Sequence, residues 1–390
     1  MMDGIRLFSI KGIAVKLLPM ISLLLFSFGE IFCGTKYIII VFLFVIPFVI
    51  SFFSKYGYNR YLLNFVLLVF LGSIFNLFFT KNGIGGTILF LANVALALFC
   101  LTNMKYVKYL SLLVLCYNLI FLYNKLFIEL VNPNYIYENL GLSRNHPGML
   151  LVIWTSFWGF SKYLTEKKVS IVLPILSVVI AFFLEGRSSL GVLLVLSVVS
   201  LCVRNSRYIY IVIILLLSLL CIYWDVILDV YMMTSFSENS LESSRFSIWQ
   251  TYFESLDLIS FFGGLELSEI PLIRSYGNNP HNAILNFHYR MGILGVISII
   301  AIIISSFKKY IRISCYIPIL YLSCLIVRFM FDSCINTTYD FILYTMLFYP
   351  LLIRNKLIYS LYLSQVADLK IKRIKVPYII KPIEKIINFL

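Results

Sequence analysis

Charge is scarce in this chain of 390 residues: Asp, Glu, Lys and Arg together make up 13% of it, and histidine occurs three times. With 61% hydrophobic residues, 17% aromatics and a mean hydropathy of +0.94, that scarcity excludes a soluble globular domain. The eight cysteines are scattered, mostly within apolar runs, and form no CxxC pair or metal-ligand spacing. They read as small apolar residues, so neither a disulfide framework, a metal site nor a cofactor is expected. Sequence repeats, low-complexity tracts and a separate soluble domain are also lacking.

What fills the chain instead is a succession of long apolar runs. A helix that crosses a bilayer needs roughly 20 predominantly apolar residues, and runs of that kind predict about twelve spans. They lie near 14–33, 37–53, 61–80, 86–102, 107–124, 148–162, 169–185, 188–203, 208–224, 283–307, 313–331 and 337–353. The expected fold is an all-α polytopic membrane protein, with residues 1–390 forming a single transmembrane domain. The first run follows Arg6, Lys11 and Lys16 and has no small-residue cleavage site after it, which predicts a retained anchor.

The basic residues give an orientation. Most of the 32 Lys and Arg residues fall near the N-terminus, in alternate loops such as Lys55 to Arg60 and Lys308 to Arg312, or in the tail at 354–390. Retention of such loops on the cytoplasmic side predicts that both termini are cytoplasmic. The net charge of +14 is then a topology signal plus a basic tail (Lys370, Lys372, Arg373, Lys375) suited to anionic headgroups. It implies membrane lipids as partners and no nucleic acid.

The same alternation leaves two sizeable loops outside, 125–147 and the long extracytoplasmic loop 225–282. A long loop on a compact bundle is usually functional. Within it, SSRFSIWQTYFESL places Phe246, Ile248, Trp249, Tyr252, Phe253 and Leu256 at helical spacing. That predicts an amphipathic helix in the outer interface, which either covers the bundle or acts as a substrate lid.

Three outward positions converge around this loop. His281 stands at the outer end of the tenth span, with Pro280 suited to the first helical position and Asn278 or Asn279 to the cap. Arg187, in LEGRSSLG, occupies a tight outer turn, and Arg245 opens the amphipathic helix. A helix terminus favours an anion, and guanidinium forks hold phosphates in a fixed geometry. A cationic site beside an apolar bundle fits a phosphate-bearing lipid with a polar head. Each residue also has a plainer role: a headgroup contact for an outer-turn arginine, a cap or packing residue for the histidine.

Other polar residues near the outer face divide in the same way. His146, in Arg144-Asn145-His146-Pro147, is a second histidine at a helix entrance. Arg290 lies inside a span, where a charge is costly; it either binds a second lipid or pairs with an acid. Arg328 and Asp332 are spaced to form an ion pair near the outer end of the eleventh span. His288 either lines a lipid groove or hydrogen-bonds a neighbouring helix, the latter being the expected role.

His281-Asn282, nine residues, Gly292, two residues and Gly295 give the pattern H-N-x9-G-x-x-G. In this pattern and in its two arginine contexts the chain resembles the O-antigen polymerases and O-antigen ligases. The motifs that carry the resemblance occupy about 185–195 and 243–295, while the span architecture extends it over nearly the whole chain. It implies a GT-C-like integral-membrane glycosyltransferase of the bacterial inner membrane, using undecaprenyl-pyrophosphate-linked oligosaccharide as donor and acceptor without nucleotide or metal. A polysaccharide chain-length regulator is a further implied partner. By the same resemblance Arg187 and Arg245 hold the donor pyrophosphate and His281 is the general base, or a further hydrogen bond to the phosphates. Asn282, Arg290, Arg328 and His146 are additional candidates. Gly292 and Gly295 are more simply read as close-packing positions between helices.

Residues 225–281 carry eight acidic side chains against Arg245 and Arg274. That balance would repel the phosphate-rich acceptor of a ligase, so a polymerase is the expected activity. The alternatives are an O-antigen ligase and a flippase or transporter for the same lipid-linked sugar. Transporters, however, concentrate polar features near the midplane rather than at the outer face.

Overall fold

The computed structural model describes residues 10–32, 37–79, 85–136, 145–184, 186–204, 244–330 and 337–352. Among these residues every regular element is helical. Eight long helices come first: α1 (Ile10–Phe32), α2 (Tyr37–Tyr56), α3 (Arg60–Phe79), α4 (Gly85–Thr102), α5 (Met104–Tyr123), α6 (His146–Glu166), α7 (Val172–Phe183) and α8 (Arg187–Arg204). Three short ones follow, α9 (Ser244–Glu254), α10 (Leu258–Gly263) and α11 (Pro271–Ser275). The chain then returns to the bundle with α12 (Ala283–Arg312), α13 (Tyr316–Met330) and α14 (Asp340–Leu352).

Each apolar run expected to span coincides with a long helix to within a few residues, apart from 208–224, which lies outside the described residues. Five of the described helices are long and apolar enough to cross a bilayer: Tyr37–Tyr56, Arg60–Phe78, Gly85–Thr102, Met104–Ile128 and Ala283–Arg312. The result is the architecture of a helical membrane-embedded protein. The basic tail from 354 onward and the first part of the long loop, 225–243, also lie outside the described residues.

Burial sorts the helices. Residues 147–161 of α6 and the whole of α14 are buried all round, as expected of central helices, and α4 is nearly so. Trp154 and Phe157 of α6 meet Phe341 of α14 ring to ring, with centroids about 6 Å apart. One buried polar residue ties α4 to α14: Asn93 accepts from the Phe341 N–H at 2.9 Å and donates to the Thr337 carbonyl at 2.8 Å. Outer helices keep large apolar side chains exposed, for example Leu43 and Ile50 on α2, Phe75 and Phe78 on α3, and Leu194 and Val198 on α8. In water such stripes would drive aggregation; against lipid they are the solvated face.

The longest helix is interrupted. Gly292 in α12 has φ 61° and ψ −172°, a region open essentially to glycine alone, so α12 runs as an upper piece to Met291 and a lower piece from Ile293. The lower piece hydrogen-bonds α14 through Ser306 to the Leu347 carbonyl (2.8 Å) and Tyr310 to the Met346 carbonyl (2.6 Å). The upper piece and its cap are bonded to α3 through Asn76, to α10 through the Phe261 carbonyl and to α13 through the Met330 carbonyl.

Candidate functional site

The site is built where the first turns of α6, α8 and α12 meet the last turn of α13. Asn282 caps α12: its Oδ1 accepts from the N–H groups of Ile284 (2.9 Å) and Leu285 (3.2 Å). This corrects the expectation that Asn278 or Asn279 caps the helix with Pro280 in its first turn. The helix starts later, at Ala283, because an extended Asn282 (φ −151°) can reach the free amides while His281 cannot follow a helical path. His281 instead has φ 48°, and its N–H donates to Asn279 Oδ1 at 2.7 Å. Its half-buried ring meets the Tyr276 ring edge-on. The histidine therefore sits on a tight corner just before the helix, not within its first turn.

A chain of hydrogen bonds joins this corner to the other expected residues. Trp249 Nε1–H of α9 donates to the Pro280 carbonyl at 3.1 Å, and Arg245 lies one turn earlier on the same face of α9. From the corner, Asn282 Nδ2 donates to the Met330 carbonyl (3.3 Å) at the end of α13. Two residues back along α13, Arg328 is fully buried. Its Nε donates to Ser189 Oγ at 3.1 Å and its Nη2 to the Asn145 carbonyl at 3.5 Å. Ser189 is in the first turn of α8, two residues after Arg187, and Asn145 is the residue before His146. The α6 and α8 starts are in direct contact there: a Cβ on Gly148 would lie 2.8 Å from Ser189 Oγ.

The structure thus links the backbones that carry Arg187, Arg245, His281, Asn282, Arg328 and His146 into one polar end of the bundle. Arg328 is its buried cation, bonded across three helices; the Asp332 expected to pair with it lies outside the described residues, as does Arg144. Arg290 stands apart. Its guanidinium lies over the neighbouring Tyr289 ring, 5.5 Å from the centroid, and its buried Nε makes no hydrogen bond among the described residues.

His288 performs the neighbour-bonding role expected of it, and does so twice. Its Nε2 faces the Phe261 carbonyl at 2.8 Å and so carries the proton, leaving Nδ1 to accept from the Tyr252 hydroxyl at 2.6 Å. Burial pushes the Tyr252 hydroxyl above its ordinary value and keeps it a donor. His288 thereby clamps both α9 and α10 to α12. A helix forms where the amphipathic one was expected, as α9, but its apolar residues divide. Ile248 and Tyr252 are buried in a small cluster with Leu267, Ile270, Ile273 and Leu285, while Phe246 and Phe253 remain exposed.

Gly292 is a close-approach position, but its partner comes from the loop: an added Cβ would lie 2.0 Å from the Phe262 carbonyl. Reasoning from the sequence missed Asn76 of α3, whose Nδ2 donates to the carbonyls of Gly263 (2.5 Å) and Tyr289 (2.8 Å). A lone asparagine in an apolar run was its only signal. Ser189 was also missed, although EGRSSLG contains it.

Chemically, three helix starts with a buried guanidinium beneath them make an electropositive end, bounded by a histidine on a fixed corner. Among the described residues no group of His, Cys, Asp and Glu could hold a metal ion. No protein-family model, no curated protein and no solved structure matches this chain.

Proposed function

We propose that this protein is a membrane glycosyltransferase that polymerises surface polysaccharide by joining undecaprenyl-pyrophosphate-linked repeat units at the polar end of the bundle. The observation that carries this reading is the hydrogen-bonded path from the Arg245-bearing helix through the His281 corner and Arg328 to the Arg187 turn. In this reading Arg187 and Arg245 hold the donor pyrophosphate. The acceptor hydroxyl attacks the anomeric carbon of the donor sugar, and the bond from that carbon to the pyrophosphate oxygen breaks. The hydroxyl proton passes to His281, and the guanidinium groups balance the charge that develops on the leaving pyrophosphate. The positive helix ends add to that balance without reorganising.

A ligase would use the same end with a different acceptor. The described part of the long loop still favours the polymerase, since Glu254, Asp257, Glu266 and Glu269 outnumber Arg245 and Arg274 there. The test replaces His281 with Ala in a host lacking the native gene, at matched membrane levels, and resolves surface polysaccharide by gel beside a ligase-deficient strain. The expected outcome is collapse of the long ladder to core carrying one repeat unit. Loss of both ladder and single-unit band, with lipid-linked polymer accumulating, would make the protein a ligase. An unchanged ladder would remove His281 from the chemistry.

A further inference from the structure

Helix α10 is six residues long, and several polar groups at its two ends are met within the protein. Asp257 Oδ1 accepts from the Ser260 N–H at 2.7 Å while Ser260 Oγ accepts from the Asp257 N–H at 2.8 Å, closing a capping box. At the other end the Ser260 carbonyl accepts from the Gly264 N–H (2.8 Å), the Phe261 carbonyl from His288 and the Gly263 carbonyl from Asn76. Pairing of this kind lowers the cost of placing a helix end in hydrocarbon. The side chains that face away from the protein are all apolar: Leu258 is 76% exposed, Ile259 56%, Phe261 41% and Phe262 47%.

Two independent measures give its depth. Tyr289, whose carbonyl shares Asn76 with Gly263, lies 19 residues above Lys308 along α12, or about 28 Å at the helical rise. Asn76 lies 16 residues above Arg60 along α3, or about 24 Å. A hydrocarbon core about 30 Å thick, starting at those two basic residues, therefore reaches past the C-terminal end of α10. The two helices it packs on also expose apolar side chains, Leu71, Phe75 and Phe78 of α3 and Ile297, Ile300 and Ile304 of α12.

We infer that residues 258–263 form a wedge inserted into the leaflet remote from Lys308, with exposed Asp257 at its water-facing end and Leu258, Ile259, Phe261 and Phe262 packed against the acyl chains of bilayer phospholipid. The long loop is then anchored in the membrane at its middle rather than suspended above it, and α9, clamped to the same histidine, is held at the interface.

The test places the photoreactive benzoylphenylalanine at position 262 in the full chain, reconstituted in vesicles of phosphatidylethanolamine and phosphatidylglycerol, and analyses the products by mass spectrometry after illumination. A second variant at the more exposed position 258 guards against misfolding, and one at exposed Gln250 on α9 serves as the water-facing control. Phospholipid adducts at 258 and 262 well above those at 250 are expected. Adduct levels equal to the control, or cross-links to this chain or to a second copy in their place, would overturn the wedge.

Discussion

The two pieces of α12 are held in different ways. Below Gly292 the helix relies on apolar packing by Ile299 and Ile302 and on two hydroxyls bonded to carbonyls of α14, its sequence neighbour but one. Above Gly292 the apolar packing continues through Ala283, Phe287 and Met291, and a set of polar links is added to it: Asn282 to Met330, His288 to Tyr252 and Phe261, and Asn76 to Tyr289. Lipid supplies no hydrophobic drive between helices, so apolar packing alone holds a helix without fixing its partners closely. Hydrogen bonds to defined atoms do fix them. The candidate site lies wholly on the polar side of that division.

Breaking the interruption itself should have the largest effect. Gly292→Val would force a branched side chain into a glycine-only conformation and against the Phe262 carbonyl, at a cost of about 4 kcal/mol. Thermal unfolding in detergent should fall sharply, whereas an unchanged midpoint would show that α10 is not docked there. Arg328→Met comes next: it keeps volume but strands Ser189 and the Asn145 carbonyl, costing about 3 kcal/mol. Polymer formation should be lost with it, and restoration by Arg328→Lys would mean that charge, not the fork, is what counts.

Tyr252→Phe removes one hydroxyl from the His288 clamp and should cost about 1–2 kcal/mol. Proteolysis should then speed up within 244–275 while the lower piece of α12 keeps its protection, which sharpens the contrast between the two pieces. The smallest effect concerns Asp257, whose carboxyl is held below its ordinary range by the Ser260 hydrogen bonds. Because the folded value is depressed, the cap contributes fully above the unfolded carboxylate value of about 3.9 and is lost as pH falls through the folded value. Protection of α10 amides, taken as the ratio of intrinsic to observed hydrogen exchange at each pH, should therefore hold steady from neutral pH down to about pH 5 and fall below about pH 4. Asp257→Asn should remove that dependence.

Much of the helical layout was legible because an apolar run of spanning length has few alternatives in a bilayer. The amphipathic spacing of 246–256 likewise predicted α9, although it could not tell which flank would be buried and which left exposed. Of the candidate site the sequence offered positions, and Arg187, Arg245, His281, Asn282, Arg328 and His146 all fall at or beside the end that the hydrogen bonds tie together. Their local geometry was not legible. Pro280 beside a histidine resembles a helix start, yet Asn282 competes for the same amides and wins by reaching two of them.

The sequence by itself determined that this chain is helical and membrane-embedded, and where most of its long helices begin and end. Those properties follow from local hydropathy and from the need to satisfy the backbone within each segment. Only the tertiary structure decided that Arg328 binds the starts of α6 and α8, that His288 clamps two loop helices, and that α12 breaks to admit the Phe262 carbonyl. The first two depend on a donor and an acceptor brought together from distant parts of the chain and the third on a close backbone approach between two segments, and side-chain periodicity carries no information about such meetings.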